Sequence, residues 1–226
     1  PTGMRIDSSN FNPVTMWSVG IQMAALNYQT SDANMALHKA FFSQNNGCGY
    51  ILKPSVMWSP SHILHRRFNP ASKDLEGLHS TFIELTIISG QYVCQQDYTA
   101  SPVVEVEVVG IPKDCFKSKT KMCQRNALNP IWEDTFEIEI RLIELAFLRF
   151  TILDIATNMA TSQRVIPLKQ LRAGYRNLSL HNQQDQELPL SSLFICSQFH
   201  RDSTPRHQED GLPSLESLQK KRMSFL

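Results

Sequence analysis

The side chains best suited to chemistry are seven histidines, five cysteines and one dense polar run near the start of the chain. His38, His62, His65, His79, His181, His200 and His207 are scattered along the sequence. None falls in a His-Glu-x-x-His helix or in the Cys/His spacing of a zinc site. No Gly-rich phosphate loop and no Gly-x-Ser-x-Gly elbow occurs, so P-loop and serine-hydrolase chemistry have no carrier here. Asp7, Ser8, Ser9 and Asn10 crowd a carboxylate, two hydroxyls and an amide into four positions. Such a cluster could serve a reacting centre, but the same side chains also close the turn that leads into a helix. The turn is the reading taken, and no catalytic residue is assigned within the chain.

The bulk numbers narrow the remaining classes. Net charge is +1, from 22 basic and 21 acidic residues, which makes no electrostatic case for nucleic acid as a partner. The basic clusters at 65–67 and 220–222 are within the repertoire of lipid-phosphate contacts, but are read as solvated surface. Hydrophobic residues make up 42% and charged residues 19%, as in a folded chain. Cys48, Cys94, Cys115, Cys123 and Cys196 contain no Cys-x-x-Cys pair, which predicts reduced thiols in a cytosolic protein. No apolar run approaches the roughly 18 residues of a spanning helix, so any membrane contact is expected to be peripheral. A start at Pro1 rather than Met suggests an excised or incomplete product.

Two periodicities must position these residues. Over 1–58 helix and strand signals alternate. Asn12 and Pro13 open a short helix that Gly20 ends. Segment 21–28 reads as a buried parallel strand, and Asp32 caps a helix with Ala33, Ala36, Leu37, Ala40 and Phe41 on one stripe. Asn46-Gly47 closes that helix, and a short strand, 49–52, follows. This α/β piece is too small to bury a parallel sheet alone and needs the rest of a sheet or barrel. Residues 59–80 show no hydrophobic period and read as an interdomain linker. From Thr81 the period becomes two. Ile83, Leu85 and Ile87 share a face, as do Val104, Val106 and Val108, and Phe136, Ile138 and Ile140. With candidates at 118–124, 146–153, 163–168, 175–180 and 188–196, the pattern predicts an eight-stranded antiparallel β-sandwich over 81–198. Residues 199–226 read as a disordered tail, with a possible short helix at 213–226.

Three strings in order, RIDSSNFNP (5–13), MWSVGIQMAALNYQT (16–30) and NNGCGYILKP (45–54), resemble the end of the second half of the phosphoinositide-specific phospholipase C barrel. LTIISGQ (85–91), LNPIWEDTFEIEI (128–140), LAFLRFTILD (145–154) and LRAGYRNLSL (171–180) resemble the C2 domain that follows it. The strings at 87–94, 163–171 and 191–197 are most similar to the epsilon type. The fold class expected is therefore α/β plus all-β: a C-terminal fragment of a TIM-like (β/α) barrel over 1–58, then the sandwich as a C2 domain.

The resemblance implies a cytoplasmic enzyme, peripheral at the plasma membrane or internal membranes, that cleaves phosphatidylinositol 4,5-bisphosphate to diacylglycerol and inositol trisphosphate. Its two histidines and the ligands of its catalytic calcium lie in the other barrel half, and its Arg-x-Tyr headgroup pair just precedes the residue matching Pro1. The chain alone is therefore expected to be inactive. Phosphoinositide membranes are the implied partner, with Ras-family small GTPases implied through regions beyond Leu226. Met4 falls where relatives carry an apolar rim residue that dips into the bilayer; packing against the neighbouring loop is the alternative. In the C2 loops, Ser101 stands where calcium-binding relatives have Asp, with Asp97 nearby as a substitute. Asn126 fits a ligand position, as does Asp154, but Ala156 replaces a second chelating Asp. Asn126 and Asp154 are the candidate metal ligands of a vestigial site, too few for the 6–8 oxygens calcium takes. An inactive phospholipase-like scaffold and a C2 membrane or protein adaptor are the competing readings.

Overall fold

A computed structural model describes residues 8–72, 75 and 77–201. Met4, Asp7 and the stretch 202–226, with its helix and Lys-Lys-Arg expectations, lie outside those residues. The first helix, α1 (Pro13–Ser18), begins as its residues dictate: Asn12 Oδ1 accepts the Val14 amide at 3.0 Å, and Pro13 needs no amide partner. In α2 (Ala33–Ser43), Asp32 Oδ1 accepts the Met35 amide at 2.8 Å. Ala36, Leu37, Ala40 and Phe41 are buried on one stripe, whereas Ala33 is exposed. Gly47, with φ at +72°, returns its amide to the Phe42 carbonyl at 3.0 Å and closes the turn after α2. One further turn, α3 (Ser55–Trp58), follows Pro54.

The strands expected at 21–28 and 49–52 do not form. A parallel strand needs neighbours on its ladder, and no other strand precedes Thr81 among the described residues. Val19, Ile21, Met23, Tyr50 and Leu52 are left exposed.

Eight antiparallel strands follow: β1 (Thr81–Gln91), β2 (Pro102–Val109), β3 (Phe116–Lys119), β4 (Ile131–Ile140), β5 (Phe147–Asp154), β6 (Met159–Pro167), β7 (Gly174–His181) and β8 (Glu187–Arg201). Their order is β3-β2-β5-β6-β7-β8-β1-β4. The β6–β7 link is a single pairing, Gln163 with His181, so the sheet turns a corner there into two four-stranded layers. Ile83, Leu85, Ile87, Val104, Val106, Val108, Ile138 and Ile140 all lie in the buried core of the sandwich, as the alternation required. Gly90 sits where a Cβ would meet Val93 Cγ1 at 2.5 Å and the Trp132 ring at 3.1 Å, so only glycine fits against that indole.

Several boundaries move; β4 starts at Ile131 rather than Phe136, and β6 at Met159 rather than at 163. The strand expected over 118–124 is instead Phe116–Lys119, because Thr120 leaves the ladder: its hydroxyl, not its carbonyl, accepts the Val104 amide at 3.0 Å. β8 runs three residues past 198, since Phe199, His200 and Arg201 pair with Ile83, Phe82 and Thr81. Residues 199–201 are therefore strand rather than tail.

A second core joins the helices to the outer face of the sandwich. Trp17 stacks on Phe41 with ring centroids 4.2 Å apart, and both rings touch Phe147, at 6.2 and 5.9 Å. Val109, Ile111, Leu142 and Leu145 complete this seam from the sandwich, and Leu75 from the segment read as a linker. Phe147 is the centre, fully buried although its neighbour Leu148 fills the opposite face of β5. Replacing Phe147 by Ala should cost about 3–5 kcal/mol in denaturant unfolding. It should also raise hydrogen exchange in α2; exchange rising only within the sandwich would show that the seam does not couple the two parts.

Candidate functional site

Three loops meet at one end of the sandwich: 92–101 between β1 and β2, 120–130 between β3 and β4, and 155–158 between β5 and β6. Ser101 ties them together. Its amide donates to Asp154 Oδ1 at 3.1 Å, its hydroxyl accepts the Arg125 amide at 3.0 Å, and its carbonyl accepts the Ile155 amide at 3.2 Å. The position marked in the sequence for a missing carboxylate is thus a structural knot.

Asp154 is placed by the last pairing of β5, opposite Pro102, which buries its carboxylate under the loops. Oδ1 also accepts the Ala156 amide at 3.3 Å. Oδ2 accepts the amide and hydroxyl of Thr157 at 3.2 and 2.9 Å. Burial disfavours the charge, but the Thr157 hydroxyl and the three amides outweigh it, holding the carboxyl below its ordinary range. Thr157 was not singled out in the sequence; its signal is the spacing Asp-x-x-Thr, which lets a side-chain oxygen cap amides two and three residues on. Asp97 is exposed and closed on its own turn, accepting the Thr99 amide and hydroxyl at 2.8 and 2.7 Å. These bonds hold its carboxyl low as well, with Asp154 opposing and Arg125 assisting. Asn126 is engaged at both ends by Asn129, donating to its carbonyl at 3.2 Å and accepting its amide at 3.1 Å.

A calcium ion requires oxygen lone pairs turned toward it from several ligands. Here both Asp154 oxygens face N–H and O–H hydrogens, and the Asn126 amide is closed within its turn. The loop residues as arranged do not fit calcium, and no group of three or more His, Cys, Asp or Glu side chains suited to a metal occurs among the described residues.

Within the polar run near the start of the chain, Ser8 and Asn10 act as an internal brace. Asn10 is buried, its amide donating to Asp32 Oδ2 at 2.8 Å and its Oδ1 accepting the Asn27 amide. Its Nδ2 donates to the Asn27 and Thr30 carbonyls, both at 3.2 Å. Ser8, at φ +53°, offers its carbonyl to Asn27 and Thr30. His38 packs among the Trp17, Tyr28 and Phe42 rings, and burial lowers its pKa. Asp114 is buried too, and burial pushes its carboxyl up against the pull of the Arg141 and Leu142 amides it accepts. No helix among the described residues is long and apolar enough to cross a membrane.

The family model described as phosphatidylinositol-specific phospholipase C, Y domain, matches residues 1–56, and the C2 domain model matches residues 82–190. A Caenorhabditis elegans protein named 1-phosphatidylinositol 4,5-bisphosphate phosphodiesterase epsilon-1 is 42% identical over 89% of this chain and 11% of its own length. The human protein named inactive phospholipase C-like protein 1 is 38% identical over 86% of this chain and 18% of its own. The crystal structure of L. pealei PLC21 matches 98% of this chain and 27% of its own at TM-score 0.78 and 31% identity. The chain spans 11% and 18% of the length of the two curated relatives named above.

Because the Asp154 carboxyl is held low, its contribution to stability is present above the ordinary carboxylate pKa of about 3.9 and is lost as pH falls below it. Asp154→Ala should cost about 1–3 kcal/mol at neutral pH. The variant should also unfold with a weaker acid dependence than the parent chain between about pH 5 and pH 2. Parallel acid profiles would mean that Asp154 is not the titrating brace.

Proposed function

We propose that this chain, which joins the end of a phosphatidylinositol-specific phospholipase C Y domain to a C2 domain, belongs to an enzyme that hydrolyses phosphatidylinositol 4,5-bisphosphate to diacylglycerol and inositol 1,4,5-trisphosphate. The observation that carries this reading is the continuous match through both parts, extending over 98% of the chain to PLC21. The exposure of the apolar side chains Val19, Ile21, Met23, Tyr50 and Leu52 supports it further. Exposed apolar side chains of this kind mark a surface that a partner covers, and the remainder of a TIM-like barrel would cover it. In this reading residues 1–58 are the end of the barrel, 59–80 connect it, and the C2 domain begins at Thr81.

The catalytic histidines and catalytic calcium belong to the other barrel half. Calcium supplies charge neutralisation at the phosphoryl group when bound there. The residues of this chain position and dock: the seam around Phe147 holds the barrel end to the sandwich, and Met4 is the proposed contact with a phosphoinositide membrane. The C2 loops, with Asp154 saturated, are assigned at most a weak calcium affinity. The likeness to an epsilon-1 protein supports a peripheral cytoplasmic enzyme addressed by Ras-family GTPases through regions outside this chain.

The 38% identity to an inactive phospholipase C-like protein favours one second reading, a scaffold that keeps both parts without turnover. Both are tested on the full-length parent protein with phosphatidylinositol 4,5-bisphosphate vesicles. Calcium-dependent release of inositol trisphosphate is expected, while the 226-residue chain alone releases none. A folded, vesicle-bound parent without turnover would replace the enzyme by the scaffold.

A further inference from the structure

The tripeptide Gln-Gln-Asp occurs twice, at 95–97 and at 183–185, on loops far apart in sequence. The fold brings both Gln-Gln pairs onto one cleft of about 500 Å³ between the β1–β2 loop and the β7–β8 turn, beside Asp154. That volume lies within the roughly 300–1,000 Å³ of small-molecule clefts.

Two of the four carboxamides are anchored. Gln95 Nε2 donates to the Pro189 carbonyl and the Ser191 hydroxyl, both at 2.9 Å, and Gln183 Nε2 donates to the Ala160 carbonyl at 2.8 Å. Neither Oε1 accepts a hydrogen bond among the described residues. The Gln96 and Gln184 side chains are exposed and form no hydrogen bond among the described residues. The turn beneath Gln184 is braced: Asn182 Oδ1 accepts the Gln184 and Gln186 amides at 2.9 Å each. Asp185 is held by His181 at 2.9 Å and by Lys39 of α2 at 3.3 Å.

Charge decides what such a cleft can take. No lysine, arginine or histidine lines it, so nothing there would hold a phosphate. Its two carboxylates, Asp97 and Asp154, are engaged by hydroxyl and amide donors, which leaves no built cation site. What remains is a set of carboxamides, each both donor and acceptor. The group that matches them is the hydroxyl, which is also both, and Met159 and Leu188 offer apolar walls to a ring's C–H face.

We propose that this cleft binds an uncharged polyhydroxylated ring, a sugar or cyclitol. Gln96 and Gln184 close on its hydroxyls, and Gln95 and Gln183 serve as fixed acceptors. The site does not depend on whether the parent protein hydrolyses lipid. A free polyol and a lipid-borne headgroup share this chemistry, and the experiment separates them.

The ¹⁵N-labelled 226-residue chain is titrated with myo-inositol and with glucose while the side-chain carboxamide resonances are followed. A saturable shift with half-saturation near about 1 mM is expected, weakened about tenfold or more by Gln96→Ala with Gln184→Ala. Both side chains are exposed, so the variant should keep the backbone resonances of β1 and β8. In a second arm, retention on phosphatidylcholine vesicles is compared with and without phosphatidylinositol. Shifts with free polyol assign a soluble ligand. Silence with free polyol, but inositol-dependent retention lost in the double variant, assigns the headgroup. Neither signal, or a signal untouched by the double variant, overturns the proposal.

Discussion

The structure depends on one shared apolar seam. An amphipathic pair of helices as short as α1 and α2 cannot be stable alone, because helices of 6 and 11 residues gain too little from their own hydrogen bonds. The sandwich supplies the missing surface. Phe147 lies on β5 with its side chain away from the sandwich core, and the Trp17 and Phe41 rings cover it. One end of β5 is thereby buried on both faces, and the helices α1 and α2 are docked against it. The polar side of the same junction is weaker. The Lys39–Asp185 pair is partly solvated, and such pairs contribute about 0–1 kcal/mol, so it aligns more than it holds.

The loop end follows a different logic. A buried carboxylate must be compensated, either by a cation or by enough hydrogen-bond donors. Asp154 takes the second route, accepting from three amides and the Thr157 hydroxyl. Once these donors are in place a cation would have to displace them, so the same geometry that stabilises the loops removes the oxygens an ion would use. Ser101 makes the arrangement rigid by engaging all three loops at once.

Neighbouring features fit that picture. The β7–β8 turn lies between the loop end and α2, touching β6 through Gln183 and the helix through Asp185. Arg164 and Asp185 flank the His181 ring, one at each nitrogen. A turn braced on this many sides carries its exposed glutamines on a fixed frame.

Local chemistry was legible in the sequence because it is written within a few residues. Asn12-Pro13 and Asp32 started the two helices where expected, and the alternation through Ile83, Val104 and Ile138 placed the sandwich core, since capping and period-two burial need no distant partner. The ladder at 118–124 was misplaced because a single hydroxyl, that of Thr120, substitutes for a carbonyl, which no propensity encodes. The strands at 21–28 and 49–52 failed for the opposite reason: strand character is a property of a pair, and their partners are not in the ladder. Capping, alternation and the candidates for burial can be read one segment at a time. That Asp154 is satisfied by amides, that Phe147 faces outward into a second core, and that two Gln-Gln pairs 88 residues apart share one cleft are consequences of how the strands assemble. Each of those depends on groups distant in the chain meeting within a few ångströms, and that information exists only once the strands have paired.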